Sequence, residues 1–196
     1  MSVDLKPIQL HGWHRPGRRG QGFAVLLCVL ALAGCRAKAN AAGGADMELT
    51  IPSFHQGQIP VEHTCDGADR SPQMTWTAPP AGTKSMTLVV TDPDAPAGTW
   101  VHWVLFDMPA DRHQLAAGVP AQAQLADGGR QGHNDFGRIG YGGPCPPGHS
   151  VHRYFFDLYA LDAMLGLEPG ATRAQVETAM RGHILAHAQV IGRYGR

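Results

Sequence analysis

Residues 85–106 read SMTLVVTDPDAPAGTWVHWVLF, and this stretch decides the fold class. Its first part, residues 85–91, is a β-branched and apolar run that stops at Asp92 and Pro93. A second apolar run occupies residues 100–106. Because apolar residues lie on both faces of the second run, we expect a central strand of a sheet. The sequence therefore predicts two β-strands joined by an acidic, proline-containing loop.

The rest of the composition agrees with a β-rich domain that carries long loops. The chain has 196 residues, of which 25 are Gly and 15 are Pro, and its 43% hydrophobic content supports a packed core. Residues 153–161 predict a third strand. Residues 128–148 contain eight glycines and three prolines, which neither a helix nor a central strand tolerates. This segment is predicted to be a loop that leads directly into the third strand.

One helix is predicted near the end of the chain. Thr172 and Gln175 have the spacing of a capping box, in which each side chain bonds the backbone of the other residue. Val176, Met180 and Ile184 then follow at intervals of four and give the helix one buried stripe.

The charge balance excludes nucleic acid as the main partner. Lys and Arg number 16, Asp and Glu also number 16, and the formal net charge is zero. A nucleic-acid-binding protein of this size carries a basic surface, and the sequence has no excess of basic residues. The sequence also has no acidic tail that would indicate a basic partner.

Residues 1–35 have the organisation of a secretory leader. Arginines precede an eleven-residue apolar run at 23–33, which is too short to span a bilayer as a helix. The run ends in LAGC at 32–35, which resembles the bacterial lipobox and predicts that Cys35 is lipidated. We therefore expect residues 36–46 to be a flexible tether and residues 47–196 to be the folded domain. The predicted location is the bacterial cell envelope, facing the periplasm or the outer surface; a non-lipidated signal peptide or a buried core helix is the alternative.

Two further cysteines remain in the folded domain. Cys65 and Cys145 each lie in a predicted loop, and a secreted domain is in a compartment where disulfides form. The sequence favours a bond between them, with two free thiols as the alternative.

Polar groups concentrate in two motifs. One is DPDAP at 92–96 followed by WVHW at 100–103; the other is YGGPCPPG at 141–148 followed by HRY at 152–154. Residues spaced by two on a strand share a face, so His152 and Tyr154 point the same way. The same alternation places His102 on the face of Trp100 and Val104.

The two motifs together predict an anion pocket. If the strand ends meet, a carboxylate, two imidazoles and a phenol surround a cavity with a Gly- and Pro-rich rim. Imidazole and phenol groups donate hydrogen bonds, which suits a phosphate-like anion with an apolar substituent. Asp92 is expected to hold His102 or His152 in one tautomer, or to bond a protonated phosphate oxygen. The residue types alone leave open that each histidine is only structural.

These motifs resemble the two signature regions of the phosphatidylethanolamine-binding protein (PEBP) family, also called the Raf kinase inhibitor protein family. The resemblance is closest to its bacterial branch and continues through residues 53–72 and 182–194, so it covers nearly all of residues 47–196. It implies a mainly β fold with a large antiparallel sheet, a smaller sheet and short C-terminal helices. The ligand-binding residues that follow from the motifs and the resemblance are Asp92, Asp94, Pro96, His102, Pro146, Pro147, His152 and Tyr154.

The resemblance together with the lipobox predicts a lipid-anchored binding protein of this family, with no cofactor. We expect no turnover, because the pocket offers hydrogen-bond donors and a carboxylate but no activated nucleophile. Its ligand is expected to be a phospholipid head group or a phosphorylated small molecule. One alternative is an interaction protein that docks a kinase- or protease-like partner. A weaker alternative is a hydrolase in which His102 and Asp92 activate water.

No metal site is predicted, although two arrangements contain residue types that bind metals. His183 and His187 have the four-residue spacing of zincin ligands, but Ile184 occupies the position of the required Glu. The other arrangement is a Zn²⁺ or Mn²⁺ site formed by the two motifs, from His102, His152, Asp92 and Asp94.

Overall fold

The computed structural model describes residues 47–196, which form a mainly β domain with two antiparallel sheets. The predicted leader and tether lie outside the described residues. The strands are β1 (Leu49–Thr50), β2 (Met74–Trp76), β3 (Ser85–Asp92), β4 (Trp100–Pro109), β5 (Gln114–Leu115), β6 (Arg130–Gln131), β7 (His152–Leu161) and β8 (Ile184–Tyr194). Helix α1 spans Arg173–Ala179. Among residues 47–196, no helix is both long enough and apolar enough to cross a membrane.

The large sheet contains the three strands that the sequence predicts. Its order is β6-β4-β3-β7-β8, so β3 and β4 are central and β7 lies beside β3. All eight residues of β3 are buried, as the absence of polar alternation in the sequence indicates. The small sheet has the order β1-β2-β5.

Two cores lie on opposite faces of the large sheet. The inner core lies between the two sheets and includes Trp76, Leu115, Trp103 and Phe156. The outer core lies under α1 and includes Val101, Val104, Phe106 and Val176. The large sheet is thus covered on both sides, which explains why its central strands are almost continuously apolar.

The helix begins as predicted and ends earlier. The Thr172 hydroxyl accepts from the Gln175 amide and the Gln175 side chain accepts from the Thr172 amide, which is the predicted capping box. Val176 and Met180 are buried, but Ile184 is 47% exposed and starts β8. The prediction of a buried stripe reaching Ile184 is therefore wrong. Gly182, which has a positive φ of 81°, separates the helix from the strand.

A β-bulge at His102 determines how β4 meets the site. Two neighbouring residues of β3 pair with Trp103 and Val101 of β4, so His102 has no pairing partner on β3. An extra residue of this kind breaks the alternation of faces. The prediction that His102 shares a face with Val104 is wrong, because Val104 packs in the outer core. His102 instead lines the same cavity as Trp100.

Candidate functional site

A cavity of about 320 Å³ lies where β3 ends and β4 and β7 begin. Its lining consists of two polar side chains and an otherwise apolar wall: Asp92, His102, Ala95, Pro96, Ala97, Trp100, Phe136, Cys145, Pro146 and Pro147. The two sequence motifs therefore do come together at one place. Five of the eight predicted ligand-binding residues line the cavity, while His152 and Tyr154 lie buried next to it and Asp94 lies outside its lining.

Asp92 holds His152 in one orientation. The His152 Nδ1 donates to Asp92 Oδ2 at 2.8 Å, and both side chains are buried. The other oxygen, Asp92 Oδ1, accepts from the backbone amide of Asp94 at 2.8 Å. Since both carboxylate oxygens are engaged, Asp92 acts as the group that orients His152, and the ring is left with Nε2 for any further partner.

His102 is fixed by the backbone of the glycine-rich loop. Its Nδ1 donates to the Gly142 carbonyl at 2.7 Å, while the Gly142 amide donates to the His102 carbonyl at 2.9 Å. Burial lowers the pKa of His102 below its ordinary value, and the Gly142 carbonyl and the Asp92 charge oppose this only in part. The neutral ring therefore presents Nε2 as an acceptor, and it becomes a donor only after protonation. The expectation that this imidazole donates a hydrogen bond to the ligand therefore applies only to its protonated form.

The Tyr154 hydroxyl is buried without a hydrogen bond among residues 47–196. The ring is fully buried and meets the His102 ring edge-on, with centroids 5.2 Å apart. Burial and the nearby Asp92 carboxylate raise the pKa of Tyr154 well above its ordinary value, so the hydroxyl remains a proton donor. The Asp92 carboxylate contributes to this shift both through its charge and as a nearby acceptor, but its contact with the hydroxyl falls outside the distance and angle of a hydrogen bond.

Asp94 has a structural role on the outside of the site. Its carboxylate accepts from the Arg153 backbone amide at 2.9 Å and from the guanidinium at 2.9 and 2.7 Å. These bonds lower the pKa of Asp94 to about 2. The prediction that Asp94 contacts a ligand is not supported by this geometry. Arg153 lies next to His152 on β7 and therefore points to the opposite face of the strand, where it meets Asp94.

Phe136 is part of the wall and was missed by the sequence analysis. Its ring contacts Trp100 and His102 edge-on, at centroid distances of 5.4 and 5.3 Å, and it is 39% exposed. The available signal was an aromatic residue within the glycine-rich segment, where Tyr141 is the other one. The loop that carries it is held by Asn134, whose Oδ1 accepts from the Phe136 and Arg138 amides.

A neighbouring loop, residues 63–70, supports the glycine-rich loop from behind. Asp69 accepts from the Gly143 amide at 2.6 Å and from the Arg138 guanidinium at 2.6 Å, so one carboxylate fixes two points of the glycine-rich loop. A Cβ at Gly143 would collide with the His63 carbonyl and with Asp69, which explains the glycine there.

The same two loops are covalently joined. Cys65 and Cys145 form a disulfide with Cα atoms 5.4 Å apart, and the Cys65 amide donates to the Pro144 carbonyl at 3.1 Å. The two cysteines are 80 residues apart, and closing a loop of that length is worth about 4 kcal/mol in the chain-entropy model.

Residues 47–196 contain no group of three His, Cys, Asp or Glu side chains arranged to hold a metal ion. His183 and His187, the zincin-like pair, are not on one helix face; His187 lies on β8. Each of the two pairs with its own carboxylate, His183 with Asp162 at 2.7 Å and His187 with Asp157 at 2.8 Å.

The fold and the site define a class of protein. A large antiparallel sheet backed by a small one carries, at its strand ends, an apolar cavity with an Asp–His pair and a second histidine. The phosphatidylethanolamine-binding protein family model matches residues 50–195, and the chain belongs to this family. The resemblance seen in the two motifs is thus confirmed.

Two relatives from other organisms match this chain over nearly their whole length. A UPF0098 protein from Aquifex aeolicus is 52% identical over 162 residues, which cover 81% of this chain and 94% of that protein. A UPF0098 protein from Methanothermobacter thermautotrophicus is 50% identical and is covered over 99% of its length, with 76% of this chain.

Two solved structures have the same fold. A crystal structure of a PEBP homologue from Chlamydia trachomatis superposes with a TM-score of 0.70 at 39% identity, covering 77% of this chain and 98% of that one. The structure of Escherichia coli YbcL, described as a member of the mammalian PEBP family, gives a TM-score of 0.71 at 31% identity, with coverages of 78% and 99%.

The unpartnered Tyr154 hydroxyl leads to a stability prediction. Removing it in Tyr154→Phe should raise the free energy of unfolding by about 1 kcal/mol, because a buried hydroxyl without a partner destabilises the fold. Tyr141→Phe is the matched control. Its hydroxyl is also buried but donates to the His63 carbonyl at 2.7 Å, so the same chemical change should lower the free energy of unfolding by about 1 kcal/mol. Urea denaturation of both variants measures the two changes, and a loss of stability in Tyr154→Phe would contradict this account of the site.

Proposed function

We propose that this protein binds a phosphate-type anionic group in the cavity, as a phospholipid head group or a phosphorylated small molecule, and does not convert it chemically. The observation that carries the proposal is a set of three polar groups around Asp92 that lack partners in the described residues. They are the Tyr154 hydroxyl, the His102 Nε2 and the His152 Nε2. A group with several oxygen acceptors satisfies all three at once when the rings are protonated.

The electrostatics support an anion in spite of the carboxylate at the site. Asp92 lines the cavity, but it is already paired with His152 and with a backbone amide, and these two donors offset part of its negative charge. Protonation of His102 adds a positive charge at the place where the anion would sit. An anion bound there favours that protonated state, so binding and proton uptake at His102 are coupled.

The rest of the wall supports binding over catalysis. Trp100, Phe136, Pro146 and Pro147 give the cavity an apolar side that suits an organic substituent on the anion. Cys145, the thiol-type side chain of the lining, is bonded to Cys65 and offers no thiolate to a ligand, while both oxygens of the Asp92 carboxylate are already engaged. Asp92 is paired with His152 rather than with His102, unlike the pair that the hydrolase alternative requires.

We also propose that Cys35 carries a lipid and places the domain at the bacterial cell envelope. The support is the sequence itself: the apolar run at 23–33, the LAGC motif at 32–35 and a small, polar segment at 36–46. Such a tether would hold the cavity near a membrane surface, where phospholipid head groups are abundant.

The anion proposal predicts the effect of removing single donors. Titration of O-phosphorylethanolamine, followed by calorimetry, should show binding to the wild type that weakens roughly ten- to a hundredfold in His152→Ala, because charge-assisted hydrogen bonds are worth about 1.5–3 kcal/mol each. Tyr154→Phe should also bind more weakly, although it is expected to be the more stable protein.

His113→Ala is the matched control, because His113 is exposed and does not line the cavity. This variant should bind O-phosphorylethanolamine as tightly as the wild type does. Equal affinity in all four proteins, or no binding in any of them, would refute the proposal and favour a protein partner for the same surface.

The lowered pKa of His102 predicts a pH dependence. Sulfate remains a dianion throughout and has no proton to offer, so its binding depends on protonated His102. The affinity for sulfate should rise by about tenfold for each unit by which the pH falls from about 8 to about 6.5, because the pKa of His102 lies below its ordinary value near 6.5 and the protonated fraction grows in that proportion above the pKa. NMR of the His102 ring should show a midpoint that moves to higher pH when sulfate is added. A midpoint unaffected by sulfate would argue against contact between the anion and this ring.

The anchor proposal predicts a change of location. In a bacterial host, Cys35→Ser should move the full-length protein from the membrane fraction to the soluble fraction, because a thiol at this position is the attachment point of the lipid. Cys28→Ser, which alters the apolar run but not the motif, is the control and should stay in the membrane fraction. An intact mass that shows an unmodified N-terminus beyond Cys35 in the wild type would exclude lipidation.

A further inference from the structure

We propose that the Cys65–Cys145 disulfide is a site of reversible thiol–disulfide exchange in which Arg196 stabilises the departing thiolate, and that its state controls the mobility of the cavity wall. The substrate class is a thiol or dithiol reductant, either a small molecule or a protein. This inference is independent of which ligand the cavity takes.

The first observation is the position of a charged group against both sulfurs. The Arg196 Nη2 lies 2.9 Å from the Cys65 sulfur and 3.2 Å from the Cys145 sulfur. A guanidinium remains charged at all relevant pH values, and a positive charge beside a sulfur favours its thiolate. A leaving thiol with a lower pKa leaves faster in exchange. The arrangement therefore accelerates opening, whereas a purely structural disulfide needs no cation beside it.

The second observation is that Arg196 is held in this position by other residues. Its Nε donates to the two Asp66 oxygens at 3.1 and 2.8 Å, and the Tyr194 hydroxyl donates to the same carboxylate at 2.7 Å. The Nε side is thus used for anchoring, and the Nη2 is left to face the sulfurs.

The third observation is an asymmetry in access. Cys65 is exposed, while Cys145 is only partly exposed and lines the cavity. An incoming thiolate therefore attacks the Cys65 sulfur. A bond forms between the two sulfurs, the Cys65–Cys145 bond breaks, and its electron pair remains on Cys145 as a thiolate beside Arg196. The second thiol of a dithiol then displaces Cys65; the reductant becomes a disulfide and two electrons have moved to the protein.

The fourth observation connects this bond to the cavity. Residues 146–150 form no backbone hydrogen bond with the rest of residues 47–196, although Pro146 and Pro147 are part of the wall. The disulfide is the nearest fixed point before this segment. The Cys65 amide donates to the Pro144 carbonyl independently of the disulfide. After opening, this hydrogen bond is the remaining link between the loops; it breaks more often, but it keeps the two cysteines close enough to pair again. Opening therefore loosens the wall without separating the loops.

The first test measures the opening reaction in the full-length oxidised protein. Dithiothreitol is added under native conditions and the reaction is quenched with iodoacetamide at intervals. Arg196→Gln should slow opening by about tenfold, and Arg196→Lys, which keeps the charge, should restore part of the rate. Arg181→Gln, which removes an exposed arginine that bonds Thr178, is the matched control and should react like the wild type. Equal or faster opening in Arg196→Gln overturns the role of Arg196.

The second test locates the attack. Exchange with a limiting amount of glutathione, quenched in the same way, should give glutathione on Cys65 and the alkyl group on Cys145, as read by peptide mass mapping. Adducts on Cys145, or a bond that opens only when the protein is denatured, would overturn the proposal.

The third test measures the wall and uses no ligand. Amide hydrogen exchange at Cys65 and Gly143 should become about tenfold faster after reduction, since both amides bond across the joined loops. The Gly132 amide, which bonds the Val104 carbonyl in the sheet, should exchange at an unchanged rate. Unchanged exchange at Cys65 and Gly143 would show that the bond does not control the wall. Because no anion is present, this result stands whether or not the anion proposal holds.

Discussion

The pair of hydrogen bonds between His102 and Gly142 is the constraint on which the site depends. His102 is the extra residue of a bulge in a central strand, and Gly142 belongs to the glycine-rich loop, which also contacts β4 through Asp135 and Tyr141. The ring and the backbone of His102 each bond the same glycine, so this part of the loop is fixed relative to the bulge. That position brings Cys145, Pro146 and Pro147 over the cavity and fixes which ring nitrogen of His102 faces it.

The rest of the wall is held by polar groups that face away from the cavity. Asp69 bonds Gly143 and Arg138 from behind, and Asn134 shapes the loop that carries Phe136. Asp94 pairs with Arg153 on the outside of β7. The charged side chains of this region are therefore largely satisfied by one another. At the cavity, by contrast, the Tyr154 hydroxyl and the Trp100 Nε1 are buried without a partner among residues 47–196.

Much of this architecture was predictable from the sequence, because central strands and capping boxes leave local patterns. The buried strands β3, β4 and β7 and the start of α1 were predicted in this way. Strand β8 was missed because it begins four residues after Met180, where the helical spacing continues by coincidence to Ile184.

In the site, the shared face of His152 and Tyr154 followed from strand alternation. The bulge at His102 and the position of Phe136 in the cavity wall could not be predicted in this way, because both depend on contacts between segments far apart in the chain. Asp94 was assigned to the ligand because its sequence motif does not show that Arg153 occupies its carboxylate.

The wide sequence separation of the contacts at the site has a consequence for how the protein folds. The Asp92–His152 pair spans 60 residues, the disulfide spans 80 and the Tyr194–Asp66 bond spans 128. Chains dominated by such non-local contacts have a high contact order and fold on the order of milliseconds to seconds, more slowly than helical proteins. Asp66 and Arg196 meet only when the final strand has docked. A chain still emerging from synthesis therefore lacks these contacts, and the site is assembled only in the completely folded protein.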